Sequence, residues 1–224
     1  MHSGGYHGLA LRIDVGTGAV TRLPLEDDVL RSFVGGVGLG THLLLQESPP
    51  GVDPEAPEAA LVVALSPLVG TPLTTSAKFA VVAKSPLTGR IGDALASDRF
   101  AIELKRCGLD ALVLVGRAAA PSVLVLDDGS VRLEPAGDAW GLSAEKAETR
   151  LRARLGAGFR TLAIGPAGER RVRFATLSAN GRHAGRGGLG GLGGVVESRD
   201  NRDQRGAHEG EHARQQPVFV RPFV

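Results

Sequence analysis

Between Asn180 and Gly194 the chain reads Asn-Gly-Arg-His-Ala-Gly-Arg-Gly-Gly-Leu-Gly-Gly-Leu-Gly-Gly, eight glycines in fifteen positions. Glycine leaves backbone N–H groups uncovered and permits φ > 0, so such a run can wrap a group rich in acceptor oxygens. Arg182 and Arg186 lie inside it and add planar donor forks that match phosphate. Read alone, the run is either an anion cradle or a flexible linker. Other candidates are isolated. Lys78 heads an apolar stretch and is either a point charge for phosphate or a charge guarding a sheet edge. Lys84 precedes Ser-Pro and serves equally well to cap a turn. Cys107 closes a helical pattern, where a small core residue is the commoner role than a nucleophile.

The elements that must carry these residues follow from periodicity. Residues 8–15 and 19–23 alternate around Gly16-Thr17-Gly18 and predict a hairpin. Residues 26–33 predict a helix, followed by the glycine run 35–40 and a second helix over 41–47. The glycines at 35–40 resemble a dinucleotide fingerprint only superficially. That fingerprint needs a strand before it, and here a helix precedes it. Residues 61–65 form a strand apolar on both faces, and 78–83 a second strand. Arg99 to Cys107 predicts a helix, 110–115, 122–126 and 130–134 predict strands, and 143–155 a helix with Ser143 as N-cap. The last strands are expected at 162–165 and 172–177. A weak internal echo joins Ser66-Pro67-Leu68-Val69-Gly70 to Gly165-Pro166-Ala167-Gly168. Each leads through a strand to a small-residue loop, at 89–96 and at 180–190. Two such loops facing one another would suit a ligand with two similar ends.

Composition narrows the class. An apolar content of 42% with 22% charge is that of a globular chain, and 224 residues suffice for one core or two small ones. The formal charge of +2 comes without a lysine block or a basic stripe interleaved with aromatics, which argues against nucleic acid. A single cysteine excludes an internal disulfide and a cysteine-built cluster within these residues. No apolar run reaches 18 residues and no signal-like segment opens the sequence, so a cytoplasmic protein free of membrane is expected.

Six blocks, in order, resemble the N-terminal domain of the tungsten-containing aldehyde:ferredoxin oxidoreductase family. They are Phe33-Val34-Gly35-Gly36-Val37-Gly38-Leu39-Gly40, Ser66-Pro67-Leu68-Val69-Gly70-Thr71-Pro72, Lys84-Ser85-Pro86-Leu87-Thr88-Gly89, Phe100-Ala101-Ile102-Glu103-Leu104-Lys105, Ile164-Gly165-Pro166-Ala167-Gly168-Glu169 and Arg182-His183-Ala184-Gly185-Arg186-Gly187-Gly188-Leu189-Gly190. The resemblance implies an α+β fold of two β-sheets with flanking helices, related by pseudo-two-fold symmetry. It implies a tungsten (or molybdenum) bis-molybdopterin cofactor whose dithiolene sulfurs hold the metal, so that no protein cysteine is needed. Cofactor contacts then fall on Lys78, Leu95, Ala96 and Ser97, and on Arg182, His183, Ala184, Gly185, Arg186 and Gly187. A magnesium ion between the pterin phosphates would take the backbone carbonyls of Leu95 and His183, oxygen ligands that suit a hard cation. Asp93 and Asp98 would face solvent or metal-bound water, because a carboxylate repels phosphate. Lys78 and Leu95 stand where archaeal members carry Arg and Asn, and Ser97, Asp98 and Ala101 where they carry glycines, which suggests a bacterial branch.

The activity implied is oxidation of an aldehyde to a carboxylate, with electrons passed through an iron–sulfur cluster to ferredoxin or an electron-transfer subunit. The cluster ligands and substrate pocket belong to family domains absent from this sequence, so the chain reads as a truncated, cofactor-cradling part, and no residue is assigned as catalytic. The alternative is a non-catalytic pterin- or phosphate-binding module that pairs with a separate C-terminal half. Homo-oligomerisation is open. The division expected is a cofactor domain over 1–196 and a tail over 197–224. From 197 to 216 the tail is nearly devoid of apolar residues, with five acids and four arginines. It reads either as out-of-frame translation or as a disordered segment.

Overall fold

The computed structural model describes residues 4–127 and 130–193, and the backbone of 196–199. The N-terminal hairpin pairs β1 (Leu9–Asp14) with β2 (Val20–Pro24), Leu9 opposite Pro24. Asp14 Oδ1 closes the turn by accepting from the amides of Gly16 and Thr17 at 2.8 and 3.1 Å. Helix α1 (Asp27–Phe33) leads into α2 (Gly36–Glu47), which starts five residues before the expected Thr41. Packing explains the difference. A Cβ on Gly40 would lie 2.7 Å from Val82 Cγ2, so the glycines let a helix settle onto the sheet instead of breaking it.

The chain continues through β3 (Leu61–Leu65), β4 (Lys78–Lys84), β5 (Ile91–Ser97), α3 (Arg99–Arg106), β6 (Ala111–Val115), β7 (Ser122–Asp127) and β8 (Ser130–Pro135). After them come α4 (Ala144–Leu155), β9 (Arg160–Leu162), α5 (Pro166–Glu169), β10 (Leu177–Ala179), β11 (Arg182–Ala184), a 3-10 segment over Arg186–Leu192 and β12 (Val196–Arg199). Among the described residues the strands form three sheets: six strands in the order β2-β1-β6-β3-β4-β5, the β10-β11 hairpin, and four strands in the order β8-β7-β12-β9. The fold is α+β, with two main sheets and flanking helices, as expected. Ser143 caps α4, accepting from the Lys146 amide at 3.4 Å.

Period-two alternation divides the core. Leu61, Val63 and Leu65 of β3, with Phe79 and Val81 of β4 and Leu112 of β6, point toward the four-stranded sheet and α3. Val62, Ala64, Ala80, Val82, Ala111 and Val113 point the other way, under Leu39, Leu43 and Leu44 of α2. The central strands are therefore buried on both faces, which is why β3 and β6 read as unbroken apolar runs. Each fully buried Leu, Val or Phe contributes roughly 1.5–3 kcal/mol.

Residues 89–96, expected as a loop, form strand β5 from Ile91 onward. Their small residues do not signal a turn. Gly92, Ala94 and Ala96 form one face of the strand, and Leu189 of the 3-10 segment lies against it: a Cβ on Gly92 would sit 3.1 Å from Leu189 Cδ2. The strand expected at 172–177 begins only at Leu177 and joins a hairpin with β11. The backbone of 196–199 inserts between β7 and β9, so the expected boundary at 196 coincides with the start of a paired strand. The remainder of the expected tail, residues 200–224, lies outside the described residues.

Candidate functional site

The site grows from two sheet edges. β5 ends the six-stranded sheet and β11 ends the two-stranded one, and these strands pack against each other. In the β4–β5 ladder Lys78 lies opposite Ser97, Ala80 opposite Leu95 and Val82 opposite Asp93, so Lys78, Ser97, Leu95 and Asp93 share one face. Lys78 Nζ donates to Ser97 Oγ at 3.0 Å, and Leu95 is 57% exposed. Ala96 faces the opposite way and is buried, which leaves only its backbone for a ligand.

β11 carries Arg182, His183 and Ala184. Ala184 is buried and anchors the strand, while Arg182 and His183 are exposed. The His183 imidazole is tied through Nδ1 to Thr176 Oγ1 at 2.9 Å. Among the described residues Arg182 has no ion-pair partner. Arg186 Nη1 lies 3.5 Å from Asp93 Oδ2, bridging the 3-10 segment to β5. Such an exposed pair is worth at most about 1 kcal/mol and yields readily to a stronger anion.

Two buried contacts hold these edges in place. Ser85 Oγ donates to the Gly187 carbonyl at 2.6 Å and accepts from the amides of Leu87 and Thr88 at 3.2 and 3.1 Å. Gly188, at φ +69°, is compelled to be glycine, since a Cβ there would fall 1.7 Å from the Arg173 carbonyl oxygen. The second contact comes from α4. Glu148 accepts from Ser178 Oγ at 2.7 Å and from the Asn180 amide at 2.8 Å. Burial, the largest influence, pushes its carboxyl above the usual range, against the two hydrogen bonds and the Arg152 charge, which lower it; the nearby Asp98 raises it further.

The structure thus places Leu95 and Ser97 on edge strand β5 with Lys78 beside them on β4, Arg182 and His183 on β11 packed against β5, and Arg186 and Gly187 on the adjoining 3-10 segment. Asp93 pairs with Arg186. Asp98 caps α3, its Oδ1 accepting from the Phe100 amide at 2.8 Å. Lys84, at the opposite end of β4 from Lys78, donates to the Val52 carbonyl. Cys107 packs, partly buried, against the core. Ser85 and Glu148 were not among the residues expected from the sequence. A signal existed for the second, because Glu148 occupies the apolar stripe of α4 beside Ala147, Leu151 and Leu155. Among the described residues no group of three or more His, Cys, Asp or Glu is arranged to hold a metal ion, and no helix is long and apolar enough to cross a membrane.

Comparison with known proteins identifies the family of the domain. Residues 10–196 match the family model described as the aldehyde ferredoxin oxidoreductase N-terminal domain. The chain is 38% identical over 185 residues to a tungsten-containing aldehyde ferredoxin oxidoreductase of Pyrococcus horikoshii, covering 82% of this chain and 30% of that one. It is 30% identical over 195 residues to the WOR-like subunit of an aliphatic sulfonate oxidoreductase of Pyrococcus furiosus, covering 80% of this chain and 31% of that one. The solved BamBC active-site complex of benzoyl coenzyme A reductase, with bound 1,5-dienoyl-CoA, superposes with a TM-score of 0.84 at 28% identity, over 87% of this chain and 31% of that one. The chain therefore spans about 30% of the length of the relatives it matches. On the match of residues 10–196, it belongs to the aldehyde ferredoxin oxidoreductase family of oxidoreductases and corresponds to the N-terminal domain of its members.

Proposed function

We propose that this chain is the cofactor-holding part of a tungsten- or molybdenum-dependent oxidoreductase, and that the adjoining edges of β5 and β11 grip the phosphates of a bis-pterin. The observation that carries this reading is that β5, flanked on β4 by Lys78, packs against β11, which bears Arg182, while Arg186 reaches Asp93 of β5. The fit is specific. Behind the exposed face of β5, a Cβ on Gly187 would lie 3.4 Å from the Gly92 Cα, so the glycines let the 3-10 segment pack closely on the strand. Arg182 and Arg186 supply forked donors, and Lys78 a point charge. The carbonyls of Leu95 and His183 are the groups that would hold a magnesium ion between the phosphates, and carbonyl oxygens suit that ion whatever the side chain.

When bound, the tungsten bis-pterin supplies two-electron oxidation of an aldehyde to a carboxylate, with electrons leaving toward ferredoxin or a partner subunit through an iron–sulfur cluster. The residues of this chain do the holding. The arginines and Lys78 neutralise the phosphate charge, and the Thr176–His183 contact ties β11 to the residue preceding β10. The relatives' names include both aldehyde and sulfonate oxidoreductases, so substrate choice rests with parts of the enzyme outside this domain.

The test is to purify the chain from a host that makes molybdopterin and to measure pterin fluorescence after oxidative release. Retained pterin in the wild type, lost in R182A/R186A, supports the reading. No pterin in the wild type, together with no amide shifts on adding magnesium and inorganic phosphate, overturns it. It would then leave the module that pairs with a separate C-terminal half.

A further inference from the structure

Asn180 and Gly181 form the tip of the β10–β11 hairpin, at φ +50° and +76°. Positive φ at both central residues is what a two-residue type I′ turn requires. Asparagine tolerates that region better than most residues but still sits there at a cost. The turn leads directly into Arg182 and His183, so whatever fixes it also aims the arginine fork and the His183 carbonyl.

Glu148 reaches it from α4. The residue is 3% exposed, and both its carboxyl oxygens are used, one by Ser178 Oγ on β10 and one by the backbone amide of Asn180. A cleft of about 410 Å³ opens beside it, lined by Glu148, Arg152, Ser178, Gly181 and His183. The Arg152 charge attracts the carboxylate and the Asp98 charge repels it. A buried acid beneath an anion site is electrostatically adverse unless it has another task. The task the contacts identify is mechanical.

We propose that Glu148 is a positioning residue for the phosphate cradle: by accepting from the Asn180 amide and the Ser178 hydroxyl, it fixes the hairpin that presents Arg182 and the His183 carbonyl. This rests on the phosphate-cradle reading and adds a residue on a different element to it. Because burial raises its proton affinity, Glu148 also carries less negative charge beneath the cradle than an exposed glutamate would.

The test uses the full 224-residue chain, with amide hydrogen exchange at Asn180 and a titration with magnesium and inorganic phosphate, both followed by NMR. Glu148→Met keeps the volume and removes both acceptors. Glu148→Gln keeps one oxygen for the Asn180 amide and offers an N–H to Ser178 Oγ, so it should rescue. In E148M the Asn180 amide should exchange roughly tenfold faster or more, and phosphate affinity should fall roughly tenfold, with E148Q near wild type on both. Should E148M fail to fold, Ser178→Ala, which removes one of the two contacts, should show a smaller change in the same direction. Unchanged Asn180 exchange or unchanged phosphate affinity in E148M overturns the proposal, as does E148Q matching E148M. If wild type shows no phosphate response, the cradle reading has failed, while Asn180 exchange still reports whether the pin exists.

Discussion

Gly190 and Gly181 separate two reasons for glycine in this domain, and comparing their alanine variants tests the account of the cradle. Gly190 has an ordinary φ, but a Cβ there would lie 2.4 Å from both the carbonyl carbon and oxygen of Thr176 and 2.7 Å from its nitrogen. Those atoms are backbone and cannot rotate aside, so the 3-10 segment or residues 175–176 must move by about 1 Å to restore ordinary contact. Inserting a methyl into packed structure costs typically 1–3 kcal/mol, and with rigid backbone on both sides G190A should cost about 3 kcal/mol or more. It should also stretch the Gly190 amide's 3.1 Å hydrogen bond to the Ala175 carbonyl. Gly181 is the reverse case: φ is +76°, and nothing lies within 4 Å of the point where an alanine methyl would sit. There only the left-handed backbone is disfavoured, at about 1–2 kcal/mol. Urea denaturation gives both numbers directly. For a domain of this size 3 kcal/mol corresponds to roughly 6–12 °C in Tm. Equal losses in the two variants, or a G190A that unfolds like wild type, would refute the close approach of the 3-10 segment to residues 175–176.

Two further outcomes follow from buried charge. Lys105 Nζ lies 2.5 Å from Asp110 Oδ1, with both side chains buried, while Asp110 Oδ2 accepts from the His7, Gly8 and Leu9 amides at 2.9, 2.7 and 3.4 Å. Lys105→Ala would strand that carboxylate, and urea denaturation should show a loss of about 3–5 kcal/mol. Glu148 holds its proton more tightly folded than unfolded, so its contribution to stability is greatest below the usual carboxylate range. That contribution is lost as pH rises from there through its own higher value. E148Q should flatten this part of the stability profile, and a slope unchanged from wild type would assign it to another group.

Most of the fold was legible because its signals are local. The hairpin at β1–β2, the doubly buried β3 and β6, and the Ser143 cap each follow from periodicity or from one side chain. Strand β5 was not legible because its inward face is Gly92, Ala94 and Ala96, and small residues resemble a loop until the element packed against them is known. Yet they alternate with Ile91, Asp93, Leu95 and Ser97, a strand's period. Asn180-Gly181 was likewise a hairpin signal hidden within a longer glycine run. For the site, the charged residues could be named from the sequence, but the pairing of two strand edges, and the buried Glu148 and Ser85 beneath them, depend on contacts more than thirty and a hundred positions apart.

The insertion of β12 between β7 and β9, parallel to the first and antiparallel to the second, has a consequence for how this polypeptide matures on the ribosome. All strands of the six-membered sheet are complete once Val115 has emerged, so that half can condense early. The other sheet has a gap at its centre until the final described strand arrives, which leaves the flanks of β7 and β9 without hydrogen-bond partners while the intervening chain is made. Unsatisfied strand borders of that kind are where nascent chains associate wrongly. The late strand thus acts as a keystone, set last and closing the arch.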